Sequence, residues 1–133
     1  MQYLNLYNNQ IKILPENVGS LFKLQTLFLK NNQLTSIPNS VGELSNLQRL
    51  SLDNNQIMML PTSIGSLSSL QELGLSYNQI MIMPESMAAL SNLQVLYLDN
   101  DQLVKIPENI GNLTKLQWLD SSDNQLMVLP KSI

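Results

Sequence analysis

Cysteine and histidine are both absent from the chain. Their absence removes disulfide caps, Cys/His zinc sites, thiol nucleophiles and every histidine-based proton relay. Charged residues are scarce, at 13% with a net charge of −3, and form no runs. Neither nucleic acid nor an acidic lipid surface would therefore feel a broad electrostatic pull. No apolar run approaches the ~20 residues a membrane-spanning helix needs, and residues 1–30 hold no basic-then-apolar leader. The expectation is a soluble protein without membrane insertion, cytoplasmic or secreted, with no address in these residues. One glycosylation sequon, Asn112-Leu113-Thr114, reads as coincidence in a chain rich in Asn and Ser.

Repetition is what the chain has in abundance. Residues 24–46, LQTLFLKNNQLTSIPNSVGELSN, recur every 23 positions without insertion or deletion. The units are 1–23, 24–46, 47–69, 70–92, 93–115 and a partial 116–133, read as one domain. Positions 4 and 6 of the unit are apolar around variable neighbours, as in Leu27 and Leu29, which is strand alternation with one face buried. Position 9 is Asn in five of the six copies, placed to bond backbone groups that a turning strand leaves unpaired. Proline at 15 suits the first position of a short helix. Positions 18, 21 and the next position 1 recur at three-residue spacing, as in Val41, Leu44 and Leu47, and predict a helical or 3₁₀ turn with one buried side. Each unit can bury seven or eight apolar side chains, each contributing roughly 1.5–3 kcal/mol before entropy.

The consensus LxxLxLxxNxLxxLPxxIGxLxx resembles the leucine-rich repeat over the whole chain. Its 23-residue form resembles the Ras-suppressor-like class, and the NNQ(I/L)xx(I/L)P run is similar to bacterial proteins of the family, spirochaete ones among them. The resemblance implies an α/β fold: a right-handed solenoid or horseshoe, with a concave parallel β-sheet and short helical or 3₁₀ turns on the convex side. It also implies a non-catalytic module that binds a partner protein, in a bacterial host-interaction or effector setting, and needs no cofactor. The alternative is a recognition or structural segment of a larger multidomain protein. Leu4 and Leu6 at one end, with Leu119, Leu126 and Leu129 at the other, are expected to lie exposed, so end-to-end self-association is also expected.

Departures from the repeat locate candidate sites. Positions 3, 5, 7 and 8 are expected to face solvent on the concave side, and six of the seven aromatics fall there: Tyr3, Tyr7, Phe28, Tyr77, Tyr97 and Trp118. Exposed aromatics cost solubility and are enriched in binding hot spots. The same face carries Lys30, Arg49, Asp53, Glu72, Asp99 and Asp120, acidic towards the later units. These twelve residues form the expected partner-binding set, its centre around Tyr97, Asp99, Trp118 and Asp120. Asp99, Asp101, Asp120 and Asp123 are a weaker candidate cluster for a divalent cation, since hard cations prefer carboxylates. Asp101 replaces the Asn of position 9 and should weaken one rung of its ladder. Ser121 replaces an inward Leu and should loosen the sixth unit. Met87-Ala88-Ala89 should make its turn more helical, because Ala favours helix over Gly. Met58-Met59, Met81-Ile82 and Met127-Val128 are expected to tuck between coils, or alternatively to form a soft binding strip. The Gln at positions 2 and 10 are expected to form side-chain ladders between coils.

Overall fold

A computed structural model describes all residues, 1–133. The chain coils six times and gives one three-residue strand per coil: β1 (Tyr3–Asn5), β2 (Thr26–Phe28), β3 (Arg49–Ser51), β4 (Glu72–Gly74), β5 (Val95–Tyr97) and β6 (Trp118–Asp120). The strands pair in parallel in the order β1-β2-β3-β4-β5-β6. Register follows the repeat, so that Leu4, Leu27, Leu50, Leu73, Leu96 and Leu119 stand opposite one another. The result is the expected α/β horseshoe, sheet inside and turns outside.

Thirty buried apolar residues form one continuous core, each coil filling the space beneath the next. The terminal coils contribute Leu4, Leu6, Leu119 and Leu126 only half-buried, while Leu129 is 60% exposed. The convex turns are 3₁₀ helices at Glu16–Ser20, Asn39–Glu43, Thr62–Ser66, Glu85–Ala89 and Ile110–Asn112. Proline stands one residue earlier than expected. Pro15, Pro38, Pro61 and Pro84 are extended caps outside their turns, and the Pro15 carbonyl accepts the Val18 N–H at 3.0 Å. The fixed φ of the ring thus sets the entry angle rather than the first helical residue.

Glycine at position 19 is a matter of clearance: a Cβ on Gly42 would stand 2.5 Å from the Ser63 carbonyl oxygen of the next coil. Ala88 occupies this position in the fourth unit, and the extra methyl does not lengthen its turn. Glu85–Ala89 is five residues, like the three before it. The next turn changes instead, starting only at Ile110 after an Asn109 cap. By the repeat the methyl faces Asn109 of that coil, the position a Cβ at the equivalent glycines would meet, so its effect is expected between coils rather than through helix propensity.

Asparagine at position 9 does what its spacing suggests. Asn55 Nδ2 donates to the Leu29 carbonyl of the previous coil at 3.1 Å and to its own Leu52 carbonyl at 2.9 Å, while its Oδ1 accepts the Leu34 N–H at 3.0 Å. Asn32, Asn78 and Asn124 repeat the pattern. The expected glutamine ladders run through backbone instead. Gln25 N–H donates to the Gln2 carbonyl at 2.7 Å and Gln48 N–H to the Gln25 carbonyl at 2.8 Å, with the side-chain amides outside the ladder.

Position 8 holds a feature that strand alternation does not predict. Asn8, Asn31, Asn54, Tyr77, Asn100 and Asp123 all adopt φ between 51° and 58°. This left-handed conformation turns each coil out of the sheet, and Asn and Asp tolerate it better than other non-glycine residues. Asn31 Nδ2 donates to Asn8 Oδ1 and Asn54 Nδ2 to Asn31 Oδ1, both at 2.7 Å, making a second ladder along the rim. Tyr77 ends it.

Candidate functional site

The concave sheet carries a groove of about 620 Å³ across its first five strands. Strand alternation sends positions 4 and 6 into the core and leaves 3, 5 and 7 to line this space, and the left-handed turn at position 8 adds Asn54 and Tyr77. Its floor is made of the more buried Ser51, Asp53, Gly74, Ser76, Tyr97 and Asp99, and its rim of the exposed Tyr3, Tyr7, Lys30, Asn54, Glu72 and Tyr77. Phe28 lies half-buried between them, its ring meeting Tyr3 edge-on at 5.7 Å.

A line of hydrogen bonds fixes two carboxylates on the floor. Asp53 Oδ2 accepts the Ser51 hydroxyl at 2.6 Å and Oδ1 the Ser76 N–H at 3.1 Å. The Ser76 hydroxyl in turn donates to Asp99 Oδ1, and Asn100 Nδ2 donates to Asp99 Oδ2 at 3.0 Å. Gly74 makes this possible, since a Cβ there would lie 2.6 Å from Asp53 Oδ2. The only ion pair in the molecule, Arg49 Nε to Glu72 at 3.8 Å, is exposed on both sides. It contributes little to stability.

Nine of the twelve expected site residues line the groove: Tyr3, Tyr7, Phe28, Lys30, Asp53, Glu72, Tyr77, Tyr97 and Asp99. Arg49, Trp118 and Asp120 do not, and the groove is centred on the middle of the sheet rather than on the last two coils. Trp118 is exposed on the edge strand. Asp120 takes hydrogen bonds from the Ser122 hydroxyl at 2.7 Å and N–H at 3.1 Å, and these lower its pKa. The lining residues that sequence reasoning missed are Asn5, Ser51, Asn54, Gly74 and Ser76. Their signal was small size: Ser51 and Gly74 occupy position 5 where neighbouring coils carry Phe28 and Tyr97.

The carboxylates of Asp99, Asp101, Asp120 and Asp123 do not converge. No three acidic side chains form a group able to hold a metal ion. Asp101 points inward with the asparagine ladder, and only its Oδ1 is satisfied, by the Ile80 N–H at 2.8 Å; Oδ2 is buried without a partner. Burial is the main reason its pKa rises to about 6, with the nearby Asp99 and Asp53 charges adding and backbone N–H groups of Ile80 and Asn78 opposing. The methionine pairs also differ from expectation. Met59 is 74% and Met127 88% exposed, with Met58, Met81, Ile82 and Val128 more than half exposed. The parallel bridges Ile82–Lys105–Val128 on that flank hold the backbone in a second short ladder, which leaves these side chains outside.

A parallel one-strand-per-coil sheet, an internal asparagine ladder and a lined concave groove together define a leucine-rich solenoid. The leucine-rich repeat region family matches residues 1–99, and the leucine rich repeat itself matches residues 92–113. The chain belongs to the leucine-rich repeat family. No curated protein matches it. Among solved structures it is similar to the ectodomain of the Arabidopsis thaliana membrane receptor kinase GASSHO1/SCHENGEN3 in complex with CASPARIAN STRIP INTEGRITY FACTOR 2, at 40% identity and a TM-score of 0.89 over 99% of this chain. It is similar also to the plant peptide hormone receptor RGFR1 in complex with RGF2, at 35% identity and a TM-score of 0.86 over 99%. A Leptospira interrogans LRR protein aligns at 30% identity and a TM-score of 0.60 over 99%. The chain spans 17%, 22% and 45% of those three chains respectively. No helix is long and apolar enough to cross a membrane.

Proposed function

We propose that this chain is a non-catalytic recognition module that binds a polypeptide ligand in the groove of its concave sheet. The observation that carries this reading is the groove itself, about 620 Å³, lined by five aromatic side chains and by carboxylates held in fixed positions. Aromatics with few rotatable bonds supply contact area at low entropic cost, which is why they dominate hot spots. The likeness to a receptor-kinase ectodomain in complex with CASPARIAN STRIP INTEGRITY FACTOR 2 and to a peptide hormone receptor in complex with RGF2 supports a polypeptide partner. The Leptospira likeness supports a bacterial setting.

Tyr77 adds a stability argument. At φ 58° it is the only aromatic residue in a column otherwise made of Asn and Asp, and it is 56% exposed. A bulky residue held in a left-handed conformation costs stability, and such strain concentrates at binding sites.

The test measures binding of the partner by the wild type, by Tyr7→Ala/Tyr97→Ala and by Met59→Ser. The aromatic double variant should lose about 2 kcal/mol or more of affinity, with an unchanged circular dichroism spectrum, while the flank variant should bind as the wild type does. Full affinity in the aromatic variant would remove the groove as the site.

A further inference from the structure

The concave face carries the whole net charge of the protein, and Asp53, Glu72 and Asp99 of that face line the groove with Lys30. On the concave positions five carboxylates face two bases, Lys30 and Arg49, whereas the rest of the chain holds five acids and five bases. Arg49 is engaged with Glu72 and Lys30 forms no ion pair, so Asp53 and Asp99 have no cationic partner. Their hydrogen-bond donors are all neutral: hydroxyls, a backbone N–H and an amide. Those bonds orient both carboxylates without neutralising either one. Beside them stand the rings of Tyr77 and Tyr97, whose π-faces also attract a cation.

We infer that the ligand is an extended polypeptide segment bearing at least one lysine or arginine among apolar residues, the basic side chain seated at Asp53 and Asp99. This rests on the concave-groove reading proposed above. Five strands about 4.8 Å apart give a groove roughly 19 Å long, matched by about six residues of extended chain. Apolar ligand residues then meet Phe28, Tyr3 and Tyr7 at the first two coils, and the basic one meets the carboxylate line at the third to fifth. An acidic segment is rejected by the same charges.

The experiment selects a random-peptide display library on the full chain, then remeasures the enriched peptides on two variants. Asp53→Asn/Asp99→Asn keeps acceptor oxygens at both sites and removes both charges; Tyr7→Ala/Tyr97→Ala removes the rings. Enriched peptides are expected to share a basic residue. Its replacement by glutamine should weaken binding roughly tenfold or more to the wild type and by much less to the Asp53→Asn/Asp99→Asn variant. Affinity for the wild type should also fall with added salt. Peptides that lack basic residues yet lose binding on the tyrosine variant would overturn the cationic ligand and leave the groove in place. Peptides indifferent to both variants, or a library that yields no binders, would overturn both.

Discussion

Asp101→Asn should stabilise this protein, and by an amount that depends on pH. Asp101 occupies a rung of the internal ladder where the other side chains both accept and donate. Asn78 Nδ2 gives hydrogen bonds to the Leu52 and Leu75 carbonyls at 3.0 and 2.7 Å, and the 23-residue repeat places the Leu75 and Leu98 carbonyls at the same station of the next coil. An ionised carboxylate has nothing to donate there, and Oδ2 is left bare. Burial of the charged form, with the Asp99 and Asp53 charges adding, raises its folded pKa to about 6 against 3.8 for an ordinary aspartate, so the protonated form, which can donate, is favoured in the fold. Because the folded value is the higher one, the contribution of this residue is most favourable below about pH 4. It falls as pH rises through about 6 and is constant above. Each unit of difference corresponds to ~1.4 kcal/mol, so the cost at pH 7 is about 2–3 kcal/mol. The amide of Asn removes that cost and restores the donors. Urea unfolding of wild type and variant at pH 7 should therefore show a gain of about 2–3 kcal/mol, shrinking to less than about 1 kcal/mol at pH 4, with the slope m unchanged. An equal gain at both pH values, or none at pH 7, would refute the account.

Asn55→Ala should cost about 2–4 kcal/mol, because it strips three hydrogen bonds and strands the buried Leu34 N–H. The same change at the exposed Asn9, which bonds only its own coil, should cost under about 1 kcal/mol; urea midpoints compare the two. Tyr77→Asn should raise stability by about 1 kcal/mol by relieving the left-handed strain while weakening ligand binding, a trade read from denaturation and titration of one sample. Gly42→Ala should destabilise by about 1–3 kcal/mol, measured by thermal unfolding, since its methyl meets a backbone carbonyl that has no room to retreat. Met59→Ser and Met127→Ser should each change stability by less than about 0.5 kcal/mol, in keeping with side chains that lie outside the core.

The fold was legible because each of its requirements recurs at a fixed position. Strand alternation at Leu27 and Leu29, the Asn32 ladder and the three-residue spacing of Val41 and Leu44 are each dictated by short-range geometry, and the structure reproduces them. What escaped were effects between coils. By the repeat Ala88 faces Asn109 in the next coil, 21 residues on, and the left-handed column is visible only once one knows that Asn8, Asn31 and Asn54 share a backbone state. Reading the site from side-chain type alone favoured Trp118 over Ser51 and Gly74. A groove depends equally on where side chains are missing, and Gly74 admits the Asp53 carboxylate because it has none.

Asp101, Ala88 and Asn109 all bear on one seam, between the fourth and fifth coils. Asp101 leaves a ladder rung half-made there, and the turn that follows Ala88 in the next coil starts only at Ile110, after an Asn109 cap. A stack in which each coil touches only its neighbours comes apart at its weakest junction. Among the inner junctions this one is expected to open first at neutral pH, with faster amide exchange for the β4–β5 hydrogen bonds than for β2–β3. The groove straddles the same junction, with Gly74 and Ser76 on one side and Tyr97 and Asp99 on the other. A ligand lying across it clamps the two halves together, so occupancy would be felt as mechanical cohesion of the entire solenoid.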